Sequence, residues 1–236
     1  MEVQKVTVWQ IIKKSFKDFY DHIFLLGGVS LIWFIIVGPL VYVGLAGFFL
    51  KMPFPVIMNL IFVGPLTLGV FYLTNQLIKY KDSGLKDFFQ GFAKFFFRGM
   101  FAYWMSLLTM VILLVDLTFF INFGNRFMQY LSGIWIYLII FFMMSQFYFW
   151  SLLVEMEDGL LKIYKRSLLL TLDNILYSLG LFLIFILLVA VGVITAGVGL
   201  AVTFIGFLGI LANNATYNLL IKYGIRKEFS TPYNIA

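Results

Sequence analysis

The sequence contains no cysteine, a single histidine and few charged residues, which make up 12% of its 236 positions. Without cysteine the chain has no disulfide, no thiolate nucleophile and no cysteine-ligated metal. The histidine, His22, lies at the edge of an apolar run, where we expect it to anchor the interface rather than to serve a zinc site or a Ser-His-Asp triad. Phosphate-loop, metalloprotease and nucleophile-elbow motifs are also missing. We therefore predict a non-enzymatic protein with no catalytic residue, no metal site and no cofactor.

Hydrophobic residues are abundant, at 62% of the chain, and 20% of all residues are aromatic. Soluble domains are about 45–50% apolar and about 25% charged. A water-soluble domain is excluded, because apolar runs long enough to cross a bilayer account for most of the chain. The sequence therefore predicts an all-α polytopic membrane bundle that forms one domain, residues 1–236.

Six apolar runs have the length of a transmembrane helix, which needs roughly 20 residues at about 1.5 Å each. They are residues 23–50, 56–78, 100–121, 131–154, 175–196 and 200–221. The first run is too long for the core of a signal peptide, so we expect it to be retained as a span.

Lysine and arginine are distributed unevenly between the two ends of these spans. Of the 17 basic residues, 15 lie in the N-terminal segment, in residues 79–98 and 155–174, and in the C-terminal tail. Only Lys51 and Arg126 lie in the connections at the opposite end. Because basic residues accumulate on the cytoplasmic side, we expect both termini to be cytoplasmic. The anionic inner leaflet is the expected counter-charge, rather than nucleic acid.

Each segment before an odd-numbered span has the spacing of an amphipathic helix. We call these segments, residues 8–19, 85–98 and 161–172, the three elbows, and we expect them to lie flat in the membrane interface. Any chain that re-enters a bilayer through an amphipathic stub would show the same spacing. The elbows alone therefore leave open whether the chain is repeated.

Sequence similarity between the first and third elbows indicates an internal repeat. IKKSF at residues 12–16 aligns with YKRSL at 164–168, an offset of 152, and DHI at 21–23 then meets DNI at 173–175. A weaker copy, residues 89–100, lies about midway. The pattern predicts three units of one elbow and two spans, residues 1–78, 79–154 and 155–236, related by an axis along the membrane normal.

The stretch at residues 63–97 carries a family resemblance. Gly64-Pro65 in a span, followed by a polar junction and by Phe88-Phe89-x-x-Phe92-x-Lys94, resembles the YesL-like bacterial membrane proteins. Asp116 falls where that family tends to have an acidic residue, whereas Phe95 stands where an asparagine is usual. The resemblance implies a bacterial plasma-membrane protein, often encoded beside carbohydrate uptake and degradation systems, with no established activity.

Polar side chains within the spans are candidates for function, because their burial in a bilayer is costly. Asp116 is the only acidic residue inside a predicted span, where hydration from the nearby outer end or a role in an outward cavity would explain it. The other candidates, which could line a cytoplasm-facing pocket or simply join helices by hydrogen bonds, are Asn75, Gln76, Gln146, Asn213 and Asn214.

Two Gly-Pro pairs, Gly38-Pro39 and Gly64-Pro65, fall within the first and second spans. Proline removes a backbone hydrogen bond and kinks a helix. We interpret the pairs as kinks or hinges, with packing or a gate as the alternatives. The acidic cluster Glu155, Glu157 and Asp158 follows the fourth span and is predicted to form a solvated turn.

Two functional hypotheses follow. The first is a non-enzymatic accessory protein of a carbohydrate uptake or sensing system, which binds another membrane transport component or a second copy of itself. The second is a small-solute transporter or channel with a polar pathway near Asp116, Gln146 and Asn214. A polar cleft through the membrane would favour the second, and a solid core with an exposed apolar groove the first.

Overall fold

The computed structural model describes residues 7–80, 83–195 and 198–225, and the side chains of all of these except 198 and 200. Four of the basic residues counted above, at positions 5, 81, 226 and 227, lie outside the described residues. All regular structure within the described ranges is helical. The helices are α1 Val8–Asp21, α2 Ile23–Phe49, α3 Pro53–Tyr80, α4 Leu85–Lys94, α5 Phe96–Ile121, α6 Arg126–Glu155, α7 Leu160–Asp173, α8 Ile175–Ile194 and α9 Val198–Lys222.

Six of these helices, α2, α3, α5, α6, α8 and α9, are long and apolar enough to cross a membrane, which confirms the predicted polytopic helical bundle. The main difference from prediction is at the starts of α5 and α6, which begin four and five residues earlier than the apolar runs. At α6 the reason is local: the Asn125 side chain accepts a hydrogen bond from the Phe127 backbone N–H at 2.9 Å. This N-cap stabilises the helix start before the apolar run begins.

The three short helices α1, α4 and α7 correspond to the predicted elbows, except that the second ends at Lys94 and residues 96–98 belong to α5. In α1, Thr7 and Gln10 form a capping box, which satisfies backbone donors at the helix start. Its inner face buries Ile11, Ile12 and Phe19, whereas Lys13 on the opposite face is exposed. A single residue separates each elbow from the span after it: His22, Phe95 and Asn174.

The centre of the bundle is formed by α3, α6 and α9, which contact one another. The other spans lie outside them: α2 packs on α3 and α9, α5 on α3 and α6, and α8 on α6 and α9. In the most apolar stretch of α9, 78% of residues are buried, against 6% in α5. The central helices carry most of the buried amides and hydroxyls, because lipid offers such groups no hydrogen-bond partner.

The elbows pack on the same three central helices in a regular order. α4 lies on α3, α7 on α6, and α1 on α9, so each elbow contacts the even-numbered span that precedes it, with the first elbow closing the ring onto the last span. We call the end of the bundle where the elbows lie the elbow end.

A small residue is buried at corresponding places in the three elbows. Ser15, Gly91 and Ser167 follow one another at intervals of 76 residues, and all three are buried. At Gly91 the reason is visible, because a Cβ atom would lie 2.6 Å from Cβ of Tyr72 on α3. A small side chain lets the elbow approach its central helix closely.

Both Gly-Pro pairs lie inside continuous helices, α2 and α3. Gly64 is at the crossing of α3 and α5, where an added Cβ would overlap the Gly99 carbonyl oxygen. An added Cβ at Gly38 would meet nothing within 4 Å. The structure therefore places Gly64-Pro65 in a tight helix contact and Gly38-Pro39 beside open space.

Candidate functional site

A buried ion pair joins α3 and α6 near the elbow end. Lys79 Nζ lies 2.5 Å from Glu155 Oε2, and the Lys79 and Glu155 side chains are 13% and 4% exposed. The Asn75 amide, one turn before Lys79, donates a hydrogen bond to the same carboxylate oxygen at 3.0 Å. Removing two charges from water is costly, so such a pair persists only where hydrogen bonds complete it.

A small polar cavity adjoins this pair in the centre of the three core helices. Its volume is about 10 Å³, and it is lined by Asn75, Ser151, Glu155, Asn213, Thr216 and Tyr217. Among the described residues, Ser151 Oγ, Asn213 Oδ1 and Thr216 Oγ1 are buried without a hydrogen-bond partner. A space of this size and polarity suits one water molecule with several partners. The cavity is too small for an organic solute.

Asn213 ties α9 to α3 from the wall of the polar cavity. Its amide nitrogen donates hydrogen bonds to the Phe71 carbonyl oxygen at 3.0 Å and to Thr74 Oγ1 at 2.8 Å. Gly209, one turn earlier on α9, lies against Thr74, since an added Cβ would approach Thr74 Oγ1 to 2.8 Å. The amide therefore stabilises a close contact between the two most buried helices.

Asn214 faces a different neighbour from Asn213. Its amide nitrogen donates to Ser15 Oγ at 3.2 Å and to Asp18 Oδ2 at 3.1 Å, both on the elbow α1. Two aromatic contacts support the same interface: the Phe207 ring lies 4.6 Å from that of Phe16 and 5.7 Å from that of Phe19. Asn214 thus holds the first elbow on the last span and does not reach the polar cavity.

Replacing Asn214 by leucine is expected to loosen α1 from α9, because the buried Ser15 hydroxyl and Asp18 lose their amide donor. We expect a loss of about 1–2 kcal/mol, the usual range for hydrogen bonds between membrane helices. Faster amide hydrogen exchange confined to α1 would show it. The adjacent change Asn213→Leu is the matched control and should loosen the contact of α3 with α9 while leaving α1 protected. Equal amide exchange in α1 for both variants would contradict the conclusion that Asn214 holds α1 on α9.

Gln146 lines a second, larger cavity in the middle of the bundle. Its Oε1 accepts a hydrogen bond from Ser106 Oγ of α5 at 3.0 Å. The cavity has a volume of about 270 Å³ and a mostly apolar wall contributed by α3, α5, α6, α8 and α9. The rings of Phe71 and Trp150 lie on its wall with their centroids 6.4 Å apart. Phe71 and Trp150 lie close in sequence to Asn75 and Ser151 of the polar cavity, so the two cavities follow one another along the central helices.

The structure does not bring Asp116 near the other candidates. Asp116 is half-buried on α5, ten residues beyond Ser106, which is about 15 Å along the helix. It makes no hydrogen bond or ion pair within the described part of the chain. Gln76 is half-buried on α3 and likewise has no hydrogen bond there. Asn75 and Asn213 share the polar cavity, Gln146 lines the apolar one, and Asn214, Gln76 and Asp116 line neither.

The acidic cluster is only partly the solvated turn that we predicted. Glu157 is exposed, but the Glu155 side chain is buried against Lys79, and Asp158 pairs with Lys162 and Arg166. Sequence reasoning missed Glu155 because it assigned the residue to a turn, whereas α6 continues through it. The sequence did contain a signal for this pair, because Lys79 and Glu155 each follow a long apolar run and both lie at the same end of the bundle.

Asp158 lies at the junction of α6 and α7, where its carboxylate pairs with two basic side chains of α7. A hydrogen bond from Lys162 at 2.8 Å, aided by the charge of Arg166, lowers the pKa of the Asp158 carboxyl below its ordinary value. Arg98, at the start of α5, donates hydrogen bonds to the backbone carbonyls of Met156 and Asp158, both at 2.7 Å. These contacts hold the junction of α6 and α7 against the first turn of α5.

An apolar groove with a volume of about 580 Å³ lies between α2 and α3. Its lining residues are Ile36, Pro39, Leu40, Val43, Phe54, Pro55, Met58, Phe62 and Leu66. It lies in the half of the bundle away from the elbow end, because it uses the second half of α2 and the first half of α3. The Gly38 position without a neighbour is adjacent to it.

Within residues 7–80, 83–195 and 198–225, no three His, Asp or Glu side chains lie together in a way that could hold a metal ion. The polar cavity contains a single carboxylate, Glu155, already engaged by Lys79. Comparison of the chain with models of protein families, with curated proteins and with solved structures finds no match.

Proposed function

We propose that this protein is a non-enzymatic integral membrane accessory that binds another membrane protein rather than conducting a solute. The observation that carries the proposal is the contrast between its interior and its surface. Inside, the Lys79–Glu155 pair and the amides of Asn75, Asn213 and Asn214 are used in contacts between helices. Outside, a large groove is apolar. The polar cavity beside Glu155 is water-sized, and the larger cavity beside Gln146 has a mostly apolar wall.

The groove between α2 and α3 is the proposed binding surface, and its occupant is a transmembrane helix of the partner. The groove extends from Phe54 to Leu66, about 18 Å along α3, which is comparable to half the thickness of a bilayer. Its lining carries no charged residue, so an apolar helix with small residues at the contact would fit it. The absence of a Cβ at Gly38 leaves room for close approach.

The resemblance to the YesL-like proteins supports a more specific context. It suggests a bacterial plasma membrane and a partner from a carbohydrate uptake or sensing system. The exposed lysines of the elbows support an orientation with the elbow end in the cytoplasm, facing anionic lipid. Two lysines on each elbow are exposed: Lys13 and Lys17, Lys86 and Lys94, and Lys162 and Lys165.

The order of helix contacts supports the threefold repeat predicted from the sequence. In each unit the elbow packs on the even span of the unit before it, and the odd span lies between that helix and its own even partner. The interval of 76 residues between Ser15, Gly91 and Ser167 agrees with units of that length. We infer that the bundle is built from three such units around a central axis.

A second candidate function is transport along that axis. It is favoured by the succession of the polar and the apolar cavity along α3, α6 and α9, with the Phe71 and Trp150 rings between them as a barrier. In this alternative Gln146, Asn75 and Asn213 would line the route. Asp116 and Asn214 would not, because they lie outside both cavities.

Two measurements separate the candidates. Purified protein in liposomes is expected to show no uptake of mono- or disaccharides, and Asp116→Leu should leave that baseline unchanged.

A photoreactive amino acid at position 40 or 58 of the groove is expected to crosslink one membrane component of a carbohydrate uptake system, identified by mass spectrometry. The same probe at lipid-exposed Leu187 is the control. Saturable uptake, or identical crosslinks from all three positions, would contradict the proposal.

A further inference from the structure

The apolar cavity beside Gln146 has the properties of a ligand site. At about 270 Å³ it is far larger than the voids between close-packed side chains, which rarely exceed a water molecule. Binding sites for small apolar molecules are typically concave, mostly apolar and supplied with a few polar groups. Five spans contribute to its wall, and the cavity is partly open at the surface of the bundle.

The polar groups of its wall leave one hydrogen-bond donor without a partner. The Thr67 hydroxyl already donates to the Val63 carbonyl and accepts from the Trp33 indole. The Gln146 amide is satisfied only at Oε1, by Ser106. Its Nε2 atom is buried and has no partner among the described residues. Because an unsatisfied buried donor is costly, a ligand oxygen that accepts from Nε2 would be favoured.

The rest of the wall restricts the chemistry of the ligand. None of the lining residues is charged, so a carboxylate or a phosphate would be buried without a counter-ion. Six of the lining side chains are aromatic: Phe71, Phe142, Phe147, Trp150, Phe182 and Phe185. The Phe182 and Phe185 rings are nearly parallel, at 18°, and Phe147 meets Phe185 edge to face. Such walls favour a flat ring over a flexible acyl chain.

We propose that this cavity binds a neutral, lipid-soluble molecule of the quinone class. Its planar ring packs among the aromatic side chains, and a ring carbonyl accepts a hydrogen bond from the Gln146 amide nitrogen. The site is separate from the groove between α2 and α3 and does not depend on the proposed partner binding.

The test uses the full chain in lipid nanodiscs with radiolabelled decyl-benzoquinone as the probe. Binding above that of protein-free nanodiscs is expected to saturate at one molecule per chain. Gln146→Leu, close in volume to the native residue, should weaken binding about five- to tenfold, the effect of one hydrogen bond. Gln129→Leu, at an exposed amide near the start of α6, is the matched control and should bind as the native chain does.

A second pair of variants tests the location. Leu208→Phe fills the cavity from α9 and should abolish saturable binding, whereas Leu187→Phe on the lipid-exposed face of α8 should not. Decylbenzene, which lacks the carbonyls, should compete only weakly with radiolabelled decyl-benzoquinone for binding to the native chain. The proposal is overturned if binding never saturates, if Gln146→Leu binds as well as the native chain, or if decylbenzene competes as well as unlabelled decyl-benzoquinone. Should Leu208→Phe fail to fold, the Gln146 pair still decides the question.

Discussion

Replacing Lys79 by methionine is expected to destabilise the protein by about 3–5 kcal/mol, the usual cost of removing one partner of a buried ion pair. The reason is that the Glu155 carboxylate, 4% exposed, stays in the core without its cation. The Asn75 amide still donates to it but does not neutralise its charge. Equilibrium unfolding in mixed detergent micelles, followed by loss of helical circular dichroism, measures the change.

The double variant Lys79→Met with Glu155→Leu is expected to recover most of the lost stability. Replacing both charges by apolar groups removes the burial penalty together with the attraction, so buried pairs contribute little net stability. Lys162→Met is the control, because that lysine is 61% exposed, pairs with Asp158 just before α7, and should change stability little. A double variant no more stable than Lys79→Met would show that the ion pair itself is required for the fold.

The two Gly-Pro pairs are expected to respond oppositely to the same substitution. Gly64→Ala should destabilise the bundle by about 1–3 kcal/mol, because the added methyl overlaps the Gly99 backbone and α3 must separate from α5. Gly38→Ala meets no neighbour and should be neutral or stabilising by up to about 1 kcal/mol, since alanine favours the helix. Unfolding in the same micelles compares the two.

The comparison also tests the interpretation of Gly64-Pro65 as a hinge. If the pair moved during function, Gly64→Ala would alter activity without lowering stability. If it is a packing contact, stability falls. A substitution at the facing position of α5 cannot restore the space, because Gly99 already has no side chain. Equal stabilities for Gly64→Ala and Gly38→Ala would contradict the tight crossing of α3 and α5.

The polar residues within the spans could be recognised from the sequence, but their hydrogen-bond partners could not. A polar residue in an apolar span must find a partner, so the sequence identified Asn75, Gln146, Asn213 and Asn214 as residues needing explanation. It did not reveal their partners. Asn213 and Asn214 are neighbours in sequence, yet successive helix positions point about 100° apart. One therefore joins the core helix α3 and the other the elbow α1.

Asp116 and Glu155 show two ways in which hydropathy misjudges an acidic residue: it overrated the first and overlooked the second. Asp116 was a candidate because it is an acid within a span, but it is half-buried and lines neither cavity. Glu155 was assigned to a turn, but it is held in the core by Lys79, which precedes it by 76 residues in the chain. Hydropathy describes one segment at a time, so it cannot show which charges from different segments will meet.

The sequence by itself determined the class of the protein and its elements: an all-helical membrane bundle with six spans and three amphipathic elbows. Those properties depend on local quantities, namely the length of apolar runs and the period of three to four residues, which a bilayer selects strongly. Only the tertiary structure decided that α3, α6 and α9 are central, that Lys79 meets Glu155, and that a cavity lies beside Gln146. All six spans are apolar enough to cross a membrane, although the three central helices have the lower mean hydropathies, 1.4–2.0 against 2.2–2.8 for the outer three. That order does not say which helices meet. Shape and hydrogen bonding between helices decide the contacts, and both depend on residues distant in the chain.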